Sequence, residues 1–110
     1  MADLPKDSQE KIGKLQIMEH NLQALDTQRQ QLQSQLFELE SAITALEKAP
    51  TAYKIVGSVM VHADAKELLK ELQEKKDVLD VRISSMEKQE EKLRDGAKQL
   101  QDEVLSTLKK

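Results

Sequence analysis

The sequence predicts a mainly α protein: a long antiparallel two-helix coiled coil with a central β-hairpin that joins an intersubunit β-sheet or β-barrel. Three observations lead there. Two long runs carry heptad-spaced apolar residues, a short β-rich stretch separates them, and the composition holds too few bulky side chains for a rounded core. Of the 110 residues, 34% are charged and 38% hydrophobic, with one Phe, one Tyr and no Trp. Globular domains average about a quarter charged and nearly half apolar residues. The chain is short enough for a single domain, placed at residues 1–110.

The first helix is predicted over residues 6–48. With Leu15 as position a, the a row reads Leu15, Leu22, Arg29, Leu36, Ile43 and the d row Met18, Leu25, Leu32, Leu39, Leu46. Nine of these ten positions are apolar, with mostly Gln, Glu, Lys and Ser between them. A 3.5-residue repeat sustained over this length marks a coiled-coil seam, narrower than the apolar stripe of a globular helix. Asp7 with Glu10 is a start signal, and Ala49-Pro50 a stop, because a residue before proline disfavours helical backbone.

The second helix, residues 64–108, repeats the pattern. Its a row is Leu69, Lys76, Ile83, Glu90, Ala97, Val104 and its d row Leu72, Leu79, Met86, Leu93, Leu100, nine of eleven being apolar. Asp64 can cap the first free N–H groups, with Glu67 at the capping-box position. Each helix spans about 65–70 Å at about 1.5 Å per residue. Folding back antiparallel sets Leu46 opposite Leu69, Ile43 near Leu72, Leu36 near Leu79, Leu22 near Leu93 and Leu15 near Leu100. Arg29, Lys76 and Glu90 break the apolar seam. Arg29 and Glu90 fall about one layer apart, as an ion pair that locks the register or as long side chains that reach water.

The connection AYKIVGSVMVH, residues 52–62, holds the chain's only tyrosine. Gly57-Ser58 suits a two-residue type II′ turn. The pairing that follows is Val56 with Val59, Ile55 with Met60, Lys54 with Val61 and Tyr53 with His62. One face then presents Lys54, Val56, Val59 and Val61, the other Tyr53, Ile55, Met60 and His62. Both are largely apolar. A lone two-stranded hairpin is marginal in water, and its edges offer unpaired N–H and C=O groups. The chain's own helices cover part of one face at most, so the hairpin is expected to pair with strands of other chains.

The ends of the helices away from the hairpin differ from the rest. Gly13 and Gly96 each lower helix stability there, and Ser8 and Lys11 occupy a and d. This end is expected to fray, yet it carries Leu4, Ile12, Leu15, Val104, Leu105 and Leu108, of which Ile12, Leu105 and Leu108 lie off the a and d rows.

Several function classes are disfavoured. Net charge is −3 with both signs interspersed, so no basic face meets nucleic acid. No apolar run approaches the roughly 20 residues that cross a bilayer, and MADLPKDSQEK is too polar for a signal peptide. The absence of cysteine excludes a disulfide framework. A soluble cytoplasmic protein is expected. His20 and His62 stand on different elements with no nucleophile-base spacing, and no glycine-rich phosphate loop is present. No catalysis, metal or cofactor is expected.

From helix to YKIVGSVMV hairpin to returning helix, the chain resembles a prefoldin subunit of the β class. The core from Tyr53 to Val61 carries the resemblance most specifically, and one hairpin rather than two fits the β class. The resemblance implies a hexamer of two α-class and four β subunits, whose hairpins form a double β-barrel with six coiled coils hanging from it. It implies an ATP-independent holdase, capturing non-native polypeptides at the coiled-coil tips and passing them to a group II chaperonin. Tyr53, Ile55, Val56, Val59, Met60 and Val61 become assembly residues on this reading. Leu4, Ile12, Leu15, Val104, Leu105 and Leu108 become client-binding tip residues. Bottom-up chemistry agrees, since several mobile apolar ends around one cavity gain avidity through effective concentration. The competing reading is a structural coiled-coil oligomerisation or tethering module without client binding. A further class is an adaptor with one saturable helical partner. The tethering module does not account for a hairpin apolar on both faces, nor for the off-seam hydrophobes at the free ends.

Overall fold

The computed structural model describes residues 5–49 and 51–109. Helix α1 spans Lys6–Lys48, strand β1 Ala52–Val56, strand β2 Val59–Ala63 and helix α2 Ala65–Leu108. The first helix has the predicted bounds. It stops one residue before Ala49, whose N–H donates to the Leu46 carbonyl at 3.3 Å; Pro50 lies outside the described residues. The second helix starts at Ala65 because Asp64 stands outside as its cap. One Asp64 carboxylate oxygen accepts from the N–H groups of Lys66 at 2.9 Å and Glu67 at 3.3 Å, satisfying donors that a helix start leaves orphaned.

The strands pair antiparallel, with Val56 opposite Val59, Ile55 opposite Met60, Lys54 opposite Val61 and Tyr53 opposite His62. The expected register is therefore the observed one, extended by Ala52 opposite Ala63. Gly57 has φ +62°, while among the described residues no other residue type takes a positive φ. Positive φ at the first turn residue alone is the type II′ pattern, since type I′ needs it at both. Only glycine adopts this backbone without steric cost.

Two compact units make up the fold. In one, the part of α1 up to Arg29 packs with the part of α2 from Ser85 onward; the other holds the rest of both helices and the hairpin. In each unit the a and d residues form the seam. From Leu15 to Leu46 and from Leu69 to Val104, every residue of the two rows is buried or half-buried. Ile43, Leu79, Ile83 and Ala52 are the buried apolar residues of the hairpin-containing unit, and Val104 that of the other. Burial that follows a 3.5-residue period on both helices is knobs-into-holes packing.

The pairing within the first unit is antiparallel, as the ion pairs show: Lys11 bonds Glu103 at 3.3 Å, and Arg29 bonds Glu90 at 3.1 Å. The Met18 methyl lies where Gly96 leaves room, at 3.1 Å from the position a Cβ would occupy. That contact falls between the expected Leu15–Leu100 and Leu22–Leu93 layers.

The seam interruption at Glu90 is resolved by pairing. Its side chain is 6% exposed, and both carboxylate oxygens accept from the Arg29 Nε–H, at 3.2 and 3.1 Å. Arg29 also bonds Asp26, one turn earlier on its own helix. Asp26 and Glu90 hold the guanidinium pKa above its ordinary value, against the opposing effect of desolvation. A carboxylate this shielded requires a partner, or its desolvation would be uncompensated.

Candidate functional site

The hairpin carries the largest concentration of apolar side chains left open to solvent. Tyr53, Ile55, Val56, Val59 and Met60 are all more than half exposed, Ile55 at 69%, and Val61 is 40% exposed. Cross-strand partners share a face, so Tyr53, Ile55, Met60 and His62 form one surface and Lys54, Val56, Val59 and Val61 the other. Neither is covered. On the first, the Tyr53 and His62 rings meet edge to face at 5.6 Å. This arrangement sets a positive ring edge against a π face.

The second surface is tied to α2 at its polar member. The Lys54 ammonium bonds both carboxylate oxygens of Glu71, at 3.2 and 3.3 Å, and Lys75 approaches the same carboxylate at 3.7 Å. The Lys54 hydrogen bond, followed by its charge, holds the Glu71 carboxyl below its ordinary range. Ala52, 3% exposed, anchors the base of the hairpin, whereas beyond it the strands project uncovered. A two-stranded sheet has two edges, and in this one neither is paired with a further strand among the described residues.

The terminal segments of α1 and α2 form the second candidate surface. Leu105 and Leu108 are about half exposed. Ile12 and Leu15 are half-buried, and Val104 is 6% exposed within the seam; Leu4 lies outside the described residues. Thus two of the expected tip residues are open to solvent, two are partly covered, and one is accessible only if the helices part. Ser8 is fully buried, with no hydrogen-bond partner for its hydroxyl among the described residues. Lys11 bonds Asp7 and Glu103, and these two carboxylates raise its pKa. The polar seam positions at this end are therefore filled by packing and ion pairing.

Four exposed hydrophobes were not singled out by sequence reasoning: Ile17, Phe37, Val78 and Val81. Their signal is present in the heptad lettering, which puts all four on outer positions where coiled coils ordinarily carry polar residues. His20 is exposed on α1. Among the described residues no group of three His, Cys, Asp or Glu side chains could hold a metal ion. No helix among them is long and apolar enough to cross a membrane.

Comparison with known proteins places this geometry among relatives. Residues 9–110 match the family model described as prefoldin subunit. The chain is 35% identical to prefoldin subunit beta of Archaeoglobus fulgidus, over 98% of this chain and 96% of that protein. It is 37% identical to prefoldin subunit beta of Methanothrix thermoacetophila, over 97% and 92% respectively. A 43% identical match to the Methanocella arvoryzae prefoldin subunit beta covers 53% of this chain and 46% of that protein. Among solved structures, the crystal structure of the prefoldin beta subunit from Thermococcus strain KS-1 superposes with a TM-score of 0.94. The two are 32% identical, over 100% of this chain and 99% of the other.

Proposed function

The chain belongs to the prefoldin family as a β-class subunit, and on that premise we propose that it is an ATP-independent holdase subunit. Family membership makes it a chaperone subunit that assembles with other prefoldin subunits. The finer reading is that it joins α-class and further β subunits in a hexamer of two α and four β. The assembly captures non-native polypeptides at its coiled-coil tips and passes them to a group II chaperonin in the cytoplasm.

The observation that carries this reading is the hairpin with two uncovered apolar faces. Alone in water it would be a site of aggregation; paired edge to edge with other subunits' hairpins it becomes a closed barrel without free edges. Tyr53, Ile55, Val56, Val59, Met60 and Val61 serve assembly. At the terminal ends, Leu105 and Leu108 meet clients first. Ile12, Leu15 and Val104 add to the surface as the helix ends separate; Leu4, outside the described residues, is assigned to client binding with them. Flexible aliphatic side chains suit partners of varied shape, and several weak contacts add through avidity.

The test is aggregation of a chemically denatured protein, followed by light scattering with the chain assembled with an α-class partner and no nucleotide present. Suppression of scattering is expected. Scattering unchanged by the assembled complex would overturn the holdase reading and leave a tethering module.

A further inference from the structure

In the hairpin-containing unit, α1 and α2 enclose an open groove of about 630 Å³. Its floor is apolar, built by the seam residues Leu39 and Leu79 together with Val78. Val78 is one of the four exposed hydrophobes on outer heptad positions. It sits at an outer c position, is 57% exposed, and is a β-branched residue with modest helix propensity. Neither packing within the chain nor helix formation accounts for a valine there.

Carboxylates stand on the lip. Glu71 is committed to Lys54 and Lys75, which also occupies the one lysine lining the groove. Glu38 and Glu74 have no ion-pair or hydrogen-bond partner among the described residues. The groove thus offers an apolar floor, two unmatched negative charges and the amide of Gln35.

From this charge complementarity, the geometry points to a docking site for a basic amphipathic helix of a partner protein. A third helix lies naturally in the groove between two others, placing apolar side chains at i, i+3 or i+4 on the floor. Lysine or arginine side chains flanking them reach Glu38 and Glu74. An acidic helix would meet unrelieved repulsion, so the lip also selects against it. The site goes beyond client capture at the tips and stands whether or not the holdase reading does.

The test uses the full chain assembled with its α-class partner and two fluorescein-labelled helical peptides. Both carry leucines at helical spacing; one has lysine and the other glutamate at the flanking positions. Anisotropy is expected to report binding of the lysine peptide alone, weakening as ionic strength rises from about 0.05 M to about 0.5 M. E38Q/E74Q should weaken that binding about five- to tenfold, and V78S should weaken it too. L105S/L108S should leave it unchanged, which separates the groove from the tips. Equal binding of the glutamate peptide, or binding unaltered in E38Q/E74Q, would overturn the proposal. So would a change in assembly mass caused by E38Q/E74Q, which would make the groove a joint between subunits.

Discussion

The two helical glycines differ in what surrounds them, and that difference is measurable. A Cβ on Gly13 would meet nothing within 4 Å, whereas on Gly96 it would approach the Met18 methyl at 3.1 Å. Gly13→Ala should therefore raise stability by about 0.5–1 kcal/mol, the ordinary gain in helix propensity. Gly96→Ala should gain less, because Met18 must turn aside. Thermal melts of the two variants check this, and a larger gain at Gly96 would contradict it. At Glu71 the depressed carboxyl pKa gives a pH dependence. The group stabilises the fold above the ordinary carboxylate range, and that contribution is lost as pH falls through its folded value. Lys54→Met removes the leading cause of the shift. The melting difference between the native chain and this variant should shrink on acidification and at high salt, since the pair is exposed. A difference that persists below the carboxylate range would assign the effect to packing instead.

At the scale of the elements, the heptads were legible because a coiled coil has one requirement, an apolar residue every 3.5 positions, and the sequence meets it openly. The hairpin register followed from Gly57 and the two-residue turn, since side-chain alternation leaves no freedom once the turn is set. Less legible was the terminal end. Ser8 and Lys11 read as a weakening of the seam, yet one is fully buried and the other is paired on both sides. Exposure likewise could not be read from Val104 or Ile12, because it depends on what the facing helix places there. The groove beside Val78 was invisible for the same reason, being made by residues some 40 positions apart in the chain.

The Arg29–Glu90 pair is a prediction at this scale. Desolvating two charges costs much of what their attraction returns, so apolar replacement is often neutral or stabilising. R29L/E90L should melt at the same or a higher temperature, while E90A alone should melt lower. If the pair fixes register, spin labels at H20C and R94C should give one narrow distance in the native seam and a broadened one in R29L/E90L. A single narrow distance in both would leave the pair no role in alignment.

For the whole molecule, the proposed division of labour is between the open hairpin as the surface that joins chains and the helix ends as the surface that holds clients. L105S/L108S should reduce suppression of client aggregation several-fold while assembly mass stays the same; unchanged capture would move the client surface elsewhere. The fold class was readable because two heptad runs flank one β-rich stretch, and the exposure of the hairpin was readable because a charged helical chain has no intramolecular cover for it. A client surface leaves little to read in any sequence, since adaptable apolar contacts impose no spacing and leave no motif.

The central claim is that the hairpin joins subunits, and native mass measurement of V59D/V61D mixed with an α-class partner tests it most directly. Both valines lie on one hairpin face, where they are 58% and 40% exposed. Charges there should leave the helical circular dichroism intact. The mass should fall from that of the assembly formed by the native chain to that of the separate subunits. An assembly of unchanged mass would show that the subunits are joined elsewhere and that the open hairpin has another use.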